Sequence, residues 1–436
     1  MVTWQQSDRV GWWRTTGIGT PHSSKFKPKL FSCRFAQLLS QSLLSKPKST
    51  TLKKIRKMSP WLPELVTDIL LRLPVSSLQR FRCLSTSFCA EIDSENFVKN
   101  HLKRSIQMKT GQKLLVYNPR FEGASDFYFA DFDDDLVDAF PLKMPLVSRH
   151  RDTSVYGSCN GLFLMGMDSM DFKVEYQSLD LYIWNPFTRQ YRKLPPCPVQ
   201  TPSGYGEVKC FGLGYDSARD DYKVVMISKA DDSNQVWVFG LKSDFWRRSR
   251  DLEDEVTTSA GCFANGALYW MCKNKCVGFD LEREVFFDIP LLSDCGPAAF
   301  FFDSFDSLVV FRGNLYFRTL VDEKVEYYLL VSDVSDKGGE VVGVSWRKEF
   351  TIENVENILH DVFPLLPLAY SKDGGSILLH DLSGVFWYNL KNRTNQRVSI
   401  AGLPDVPWSR YNVCWESLVS VGKDSAFDGA AEEVTN

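Results

Sequence analysis

Apolar residues recur along this chain in two rhythms. Between residues 62 and 106 the spacing is helical: Leu65, Val66, Ile69, Leu70 and Leu73 fall at i, i+1, i+4, i+5 and i+8, which gathers them on one face of a helix. Pro63 suits the first turn of that helix, where its missing N–H leaves nothing unpaired, and Pro74 stops it. Ser76, followed three positions later by Gln79, has the form of a capping box and predicts a second short helix carrying Leu78 and Phe81. Ser85 and Ser94 predict the caps of two further helical pieces that reach Phe97, Val98, Leu102 and Ile106. A bundle of about 45 residues has only a marginal core of its own, so it is expected to lean on a partner or a neighbouring domain.

From residue 112 the rhythm changes to short apolar and aromatic runs, "KLLVYN", "FYFADF", "GLFLMG", "LYIWN", "YKVVMI" and "QVWVFGL", separated by turn residues. No stretch between them has strong helical periodicity, so antiparallel sheets are expected rather than parallel sheets with helical crossovers. A turn signal ahead of an apolar pair recurs at Asn160, Asp221, Asn265, Asn314 and Gly374, each followed by a second aromatic strand. The loose period, about fifty residues, suits a four-stranded sheet repeated as the blade of a β-propeller. No Trp-Asp dipeptide ends a blade, which favours the kelch-like over the WD class. Five or six blades fit, with a closing strand in "YNVCWESLVSV". Stacked blades bury aromatics between sheets, the place expected for Trp184, Trp237, Trp270, Trp346 and Trp387.

Composition fits one small and one large folded unit: 436 residues, 44% hydrophobic, 24% charged and 14% aromatic. No apolar run is long enough to span a bilayer as a helix. Eleven cysteines, an odd number with no secretory signal, predict reduced thiols and a protein of the cytoplasm or nucleus. The net charge of −3 hides an asymmetry, because residues 1–57 hold twelve Lys/Arg against one acid, Asp8. That segment is expected to be a disordered basic extension ahead of a module starting near Met58; organelle targeting and nucleic-acid binding are the other readings.

The stretch "LPELVTDILLRLPVSSLQRFRCLSTSF" resembles an F-box, the module through which substrate receptors dock on the Skp-type adaptor of cullin-based ubiquitin ligases. Leu62 and Pro63 fit its opening Leu-Pro; Ile69, Leu70, Leu73 and Pro74 fit the helix and its terminating proline; Leu78, Phe81, Arg82, Cys83 and Leu84 fit the second element. Thr86 stands where the plant pattern has a basic residue, and Phe88 where it has tryptophan. The resemblance implies that Leu62, Pro63, Leu65, Ile69, Leu70, Leu73, Pro74, Leu78, Phe81 and Arg82 carry the adaptor interface and the core beneath it. Further on, "GSCNGLFLM", "LYIWNPFTRQYRKLPP", "FGLGYDSARDDYKVV" and "GALYW" resemble the F-box-associated, kelch-related domain of plant F-box proteins. Asn160, Gly161, Asn185, Pro186, Leu194, Pro195, Gly212, Gly214, Tyr215 and Asp216 fit its motifs as turn and packing residues.

The implied architecture is mainly β: a short N-terminal helical F-box bundle over residues 58–106, a kelch-like β-propeller of five or six blades over 110–420, and a disordered acidic tail over 421–436. The implied role is substrate receptor of a Skp–cullin–F-box ubiquitin ligase. Its partners would be a Skp-type adaptor, through it a cullin, and a target protein; neither cofactor, nucleic acid nor membrane is implied. A kelch-type scaffold, with the helices as a structural cap, is the competing reading.

Catalytic motifs are absent: no Gly-x-Ser-x-Gly elbow, no phosphate-cradling Gly-rich loop, no His-Glu-x-x-His pair. Asp216, Asp280 and Asp381 adjoin strands of different blades, so a glycoside hydrolase with carboxylates at the channel mouth is a further, minor alternative. Cys272 and Cys276 in "CKNKC" lack a second ligand pair, and Asp131, Asp133 and Asp135 lack the glycine and glutamate of a calcium loop. Target recognition is expected from inter-strand segments, with candidates at 119–127, 196–208, 243–255 and 332–340. Phe245, Trp246, Arg247 and Arg248 in the third combine residue types that dominate binding hot spots, although Trp246 also suits a blade core.

Overall fold

The computed structural model describes residues 62–118, 126–131, 138–143, 153–168, 179–198, 207–230, 233–273, 275–292, 307–321, 324–334, 341–353, 365–381, 384–403, 409–422 and 426–427. The chain divides into two compact units, 1–66 and 67–436. Of the first, the described part is the start of helix α1 (Leu62–Leu70). Three more helices follow: α2 (Val75–Arg82), α3 (Thr86–Ile92) and α4 (Glu95–Met108). Ser85 and Ser94 cap α3 and α4 as their sequence predicts, accepting from the backbone N–H of Phe88 (3.1 Å) and Phe97 (3.2 Å). Ser76 caps nothing: α2 starts one residue before it, at a Pro74 N-cap whose side chain offers no acceptor. The capping-box pattern is overridden because Pro74 already presets the extended backbone an N-cap needs.

Six antiparallel sheets make up the remainder. β1 (Gln112–Asn118), β2 (Asp126–Asp131) and β3 (Ala139–Leu142) open the series. β4 (Thr153–Cys159), β5 (Leu162–Asp168), β6 (Leu179–Asn185) and β7 (Gln190–Lys193) form the second sheet. β8 (Glu207–Asp216), β9 (Asp221–Ala230), β10 (Ser233–Gly240) and β11 (Phe245–Arg248) form the third. The fourth is β12 (Cys262–Ala264), β13 (Ala267–Met271), β14 (Lys275–Asp280) and β15 (Val285–Pro290). The fifth is β16 (Leu308–Phe311), β17 (Asn314–Val321), β18 (Lys324–Val334) and β19 (Val341–Ile352). The sixth is β20 (Leu366–Tyr370), β21 (Ser376–Asp381), β22 (Gly384–Asn389) and β23 (Thr394–Val398). β24 (Arg410–Trp415), the predicted closing strand, then returns to pair with β1 and supplies the first sheet's fourth strand. The fold is a six-bladed propeller, and β25 (Ala426–Phe427) adds a fifth strand to the edge of the second blade beside β7.

The cores explain why the strands read as unbroken apolar runs. Successive side chains of a strand face opposite sides of its sheet, and in a propeller both sides meet another blade. In β1, Leu114 and Val116 enter the cluster shared with the sixth blade, while Leu115 and Tyr117 enter the one shared with the second. Each of the six neighbouring blade pairs has such a cluster, so the ring is apolar at every joint. Trp184 and Trp270 are fully buried there, whereas Trp237, Trp346 and Trp387 are half-buried. Gly214 on β8 marks a close approach: a Cβ there would lie 2.5 Å from Leu281 and 2.6 Å from Phe263 of the fourth blade.

Candidate functional site

The helices present two faces. Inward, Leu70, Val75, Leu78, Ile92, Phe97 and Leu102 are buried. Outward, Leu65 is 58% exposed, Ile69 39% and Leu84 51%, large apolar side chains that the fold leaves in water. Of the residues the F-box resemblance singles out, Leu70 and Leu78 therefore belong to the core beneath the surface, and Leu65 and Ile69 to the surface itself. Leu73 and Phe81 are half-buried and Pro74 exposed; the Phe81 ring meets Phe88 edge-on at 6.0 Å. Arg82 is held by Asp93 (2.8 Å) and Gln79 (2.9 Å), so its guanidinium braces α2 against α3. For Leu62 and Pro63 only the helical backbone is described.

The part of the helical unit from Thr67 onward is cemented to the propeller. Leu102 and Val98 of α4 join the apolar cluster between the second and third blades, together with Val419 and Val421 of the segment after β24. Lys99 reaches Asp220 at 2.7 Å, and Asp220 also holds Lys242 (2.8 Å) and the Tyr215 hydroxyl (2.5 Å). Burial alone would raise the Asp220 pKa, but hydrogen bonds from Lys242, Lys99 and Tyr215 outweigh it and hold the carboxyl well below its usual range. The buried His101 donates from Nε2 to the Leu73 carbonyl at 2.9 Å, and burial keeps the ring neutral by lowering its pKa. The Val75 N–H donates to Glu416 Oε2 at 2.9 Å. The bundle thus leans on a neighbouring domain as its size requires, but Lys99, His101 and Glu416 carry no signal of this in the sequence, because their partners come from distant segments.

The strand order fixes which side of the propeller the helices use. In an up-and-down blade the turns joining first to second and third to fourth strands share one side. Asp220 in the β8–β9 turn, Lys242 in the β10–β11 turn and Glu416 beyond β24 all lie on that side. The strand ends bounding the candidate segments 119–127 and 196–208 lie on the opposite side; residues 119–125 and 199–206 themselves fall outside the described residues, as do 335–340.

The candidate target contacts separate in the structure. Phe245 is 55% exposed. Trp246 is buried against Phe239 (5.3 Å between ring centroids) and donates its indole N–H to the Pro195 carbonyl at 2.8 Å, so it is a joint between the second and third blades and not a contact surface. Strand alternation is the reason: neighbours in β11 face opposite sides. Arg247 forks onto Glu284 of the fourth blade, and Arg248 pairs with Asp251 at 2.8 Å.

The first strands β4, β12, β16, β20 and β24 line a central channel of about 1280 Å³. β8 is withheld from it: residues 259–261 run beside Phe211, through Phe211 N to Ser259 O (3.0 Å) and Gly261 N to Phe211 O (2.6 Å), and Ala260 and Gly261 take its place. The carboxylates considered for hydrolysis are dispersed. Asp216 Oδ1 accepts from Ala218 N and Arg219 N, and Asp280 Oδ1 from Glu282 N and Arg283 N, so both cap their own turns. Asp381 is buried in β21. Cys272 and Cys276 are buried, and burial pushes the Cys272 thiol up to about 12 and that of Cys276 well above its usual value, which keeps both protonated. Asp131 pairs with Lys113, while Asp133 and Asp135 lie outside the described residues.

Comparison with known proteins agrees with this geometry. Residues 60–100 match the F-box domain, and residues 128–418 match the F-box associated beta propeller domain. F-box protein CPR1 of Arabidopsis thaliana is 29% identical over 380 residues, spanning 78% of this chain and 84% of that protein. The Arabidopsis F-box/kelch-repeat protein At3g23880 is 26% identical over 356 residues, spanning 76% of this chain and 87% of that protein.

Proposed function

We propose that this chain, which belongs to the family of F-box proteins with an F-box-associated β-propeller, is the substrate-recognition subunit of a Skp–cullin–F-box ubiquitin ligase. The observation that carries the reading is the exposed apolar set of Leu65 and Ile69 on α1 and Leu84 in the turn between α2 and α3. An adaptor covering these side chains removes them from water, at roughly 1.5–3 kcal/mol for each one fully buried. Through the adaptor the chain joins a cullin, and the propeller holds the target.

Ubiquitin transfer itself belongs to the E2 enzyme brought to the other arm of the complex. The contribution of this chain is proximity, which raises the effective concentration of target lysines. Asp216 and Asp280 serve their turns, in keeping with a non-catalytic role. The target is proposed to sit on the side of the propeller away from the helices, and a receptor of this kind would work in the cytoplasm or nucleus. The test is co-purification: the full chain expressed with a Skp-type adaptor and its cullin should elute with both from size exclusion. Elution of the folded chain alone would return the helices to the role of a structural cap.

A further inference from the structure

The first N–H groups of a helix have no intrahelical acceptor and need an outside one. In α2 the N-cap is Pro74, which has none to offer. The acceptor for Val75 N comes instead from Glu416, 341 positions away, and the contact is buried. Glu416 is the residue immediately after the closing strand β24. Its own N–H donates to the Gly111 carbonyl at 2.7 Å just ahead of β1, and its Oε1 lies 3.3 Å from the Lys113 ammonium on β1. One residue, continuous with β24 through its backbone, therefore reaches β1 and the start of an F-box helix. On its other flank the same α1–α2 corner is gripped by His101 at the Leu73 carbonyl.

We propose that Glu416 is a positioning residue that makes the adaptor-facing helices conditional on closure of the propeller. A chain whose β24 has not paired with β1 lacks the acceptor for α2, so its Leu73–Leu78 corner is not held in the form the adaptor meets. Receptors with an open ring are thereby kept from the ligase, and the docked helices are fixed in orientation by the domain that carries the target. The adaptor consequence rests on the function proposed above; the coupling between closure and α2 does not.

Hydrogen exchange on the free full-length protein tests the coupling. Glu416→Ala should raise exchange of the Val75–Leu78 amides about tenfold, as the loss of one hydrogen bond to a charged acceptor implies, while β5 and β9 keep their protection. Glu416→Gln, which retains an acceptor oxygen, should recover most of that protection. Val413→Asp, which puts a charge into the apolar cluster between the first and sixth blades and so weakens β24 on β1, should raise exchange at the same α2 amides. Adaptor affinity of Glu416→Ala should fall about tenfold with the Gln variant in between. Unchanged α2 exchange in Glu416→Ala, or an opened β1–β24 pair in Val413→Asp with α2 still protected, would overturn the inference. If the wild type binds no adaptor, the proposed function fails and the exchange result still decides the coupling.

Discussion

The Lys223 ammonium lies 2.6 Å from the Asp216 carboxylate with both side chains sealed from water, and it reaches across to Glu284 (2.8 Å) and the Leu281 carbonyl (2.5 Å) of the next blade. The cation is thus a staple between the third and fourth blades, completed by Arg247 on Glu284. Removing one member of a buried pair leaves an uncompensated charge, so Lys223→Met is expected to cost about 3–5 kcal/mol, read as a lowered denaturant midpoint. Burial would raise the pKa of Asp216, but hydrogen bonds from Lys223 and Arg219 outweigh it and hold the carboxyl at about 2 against 3.8 in the unfolded chain. Its contribution is therefore complete above pH 4 and is lost as pH falls from 4 towards 2.

Phe245 and Trp246 are adjacent in sequence and opposite in role. Trp246→Ala should destabilise the propeller by about 3–5 kcal/mol, since it empties a buried site and orphans the Pro195 carbonyl. Phe245→Ala should change stability by no more than about 0.5 kcal/mol. Thermal unfolding of the two variants side by side checks this, and equal losses would refute the assignment.

His380 is buried against Tyr411, with ring centroids 5.2 Å apart, and its Nδ1 has no hydrogen-bond partner. Burial outweighs the influence of Asp381 and lowers its pKa from 6.5 to about 4. The unfolded chain therefore takes up a proton between pH 6.5 and 4 that the folded chain refuses. Stability should be full above pH 6.5 and fall by about 3 kcal/mol as pH drops to 4. His380→Phe, which keeps a ring packed against Tyr411, should flatten that slope in denaturant titrations; an unchanged slope would assign it to other groups.

Asn185 ties the segment after the closing strand to the second blade. Its Nδ2 donates to the Ser417 and Val419 carbonyls at 3.1 and 2.8 Å, while Oδ1 accepts from Phe187 N and Thr188 N. Gly161 makes room beside it, at φ +81°, where a Cβ would lie 2.4 Å from that of Ser417. Asn185→Ala should cost about 2–4 kcal/mol by leaving buried carbonyls and amides unmatched. Limited proteolysis should then cut first within residues 416–422; resistance equal to wild type would show that packing alone holds the segment.

Local features were legible from sequence, and distant ones were not. Caps at Ser85 and Ser94 and the apolar strand runs, that of β24 included, each depend on residues a few positions apart. The family motif at Asn185 was visible as a turn signal, yet its grip on Ser417 joins residues 232 positions apart and leaves no periodic trace. Trp246 was ambiguous because alternation along a strand reveals two faces without saying what each meets, and in a propeller both meet blades. The acceptor for Val75 was unreadable for the same reason, and the local alternative at Ser76 was more conspicuous than the true partner.

The central claim is that the outer face of the helices is an adaptor surface. The direct measurement is the affinity of the chain for a purified Skp-type adaptor, wild type against Ile69→Asp, with the unfolding midpoint of each recorded. Ile69 is 39% exposed, whereas Leu70 is 2% exposed and its replacement would damage the core instead. The account predicts tight binding by the wild type, at least a hundredfold loss in Ile69→Asp, about 2.7 kcal/mol or more, and the same midpoint for both. Equal binding by both proteins, or a propeller that unfolds when only Ile69 is changed, would contradict it.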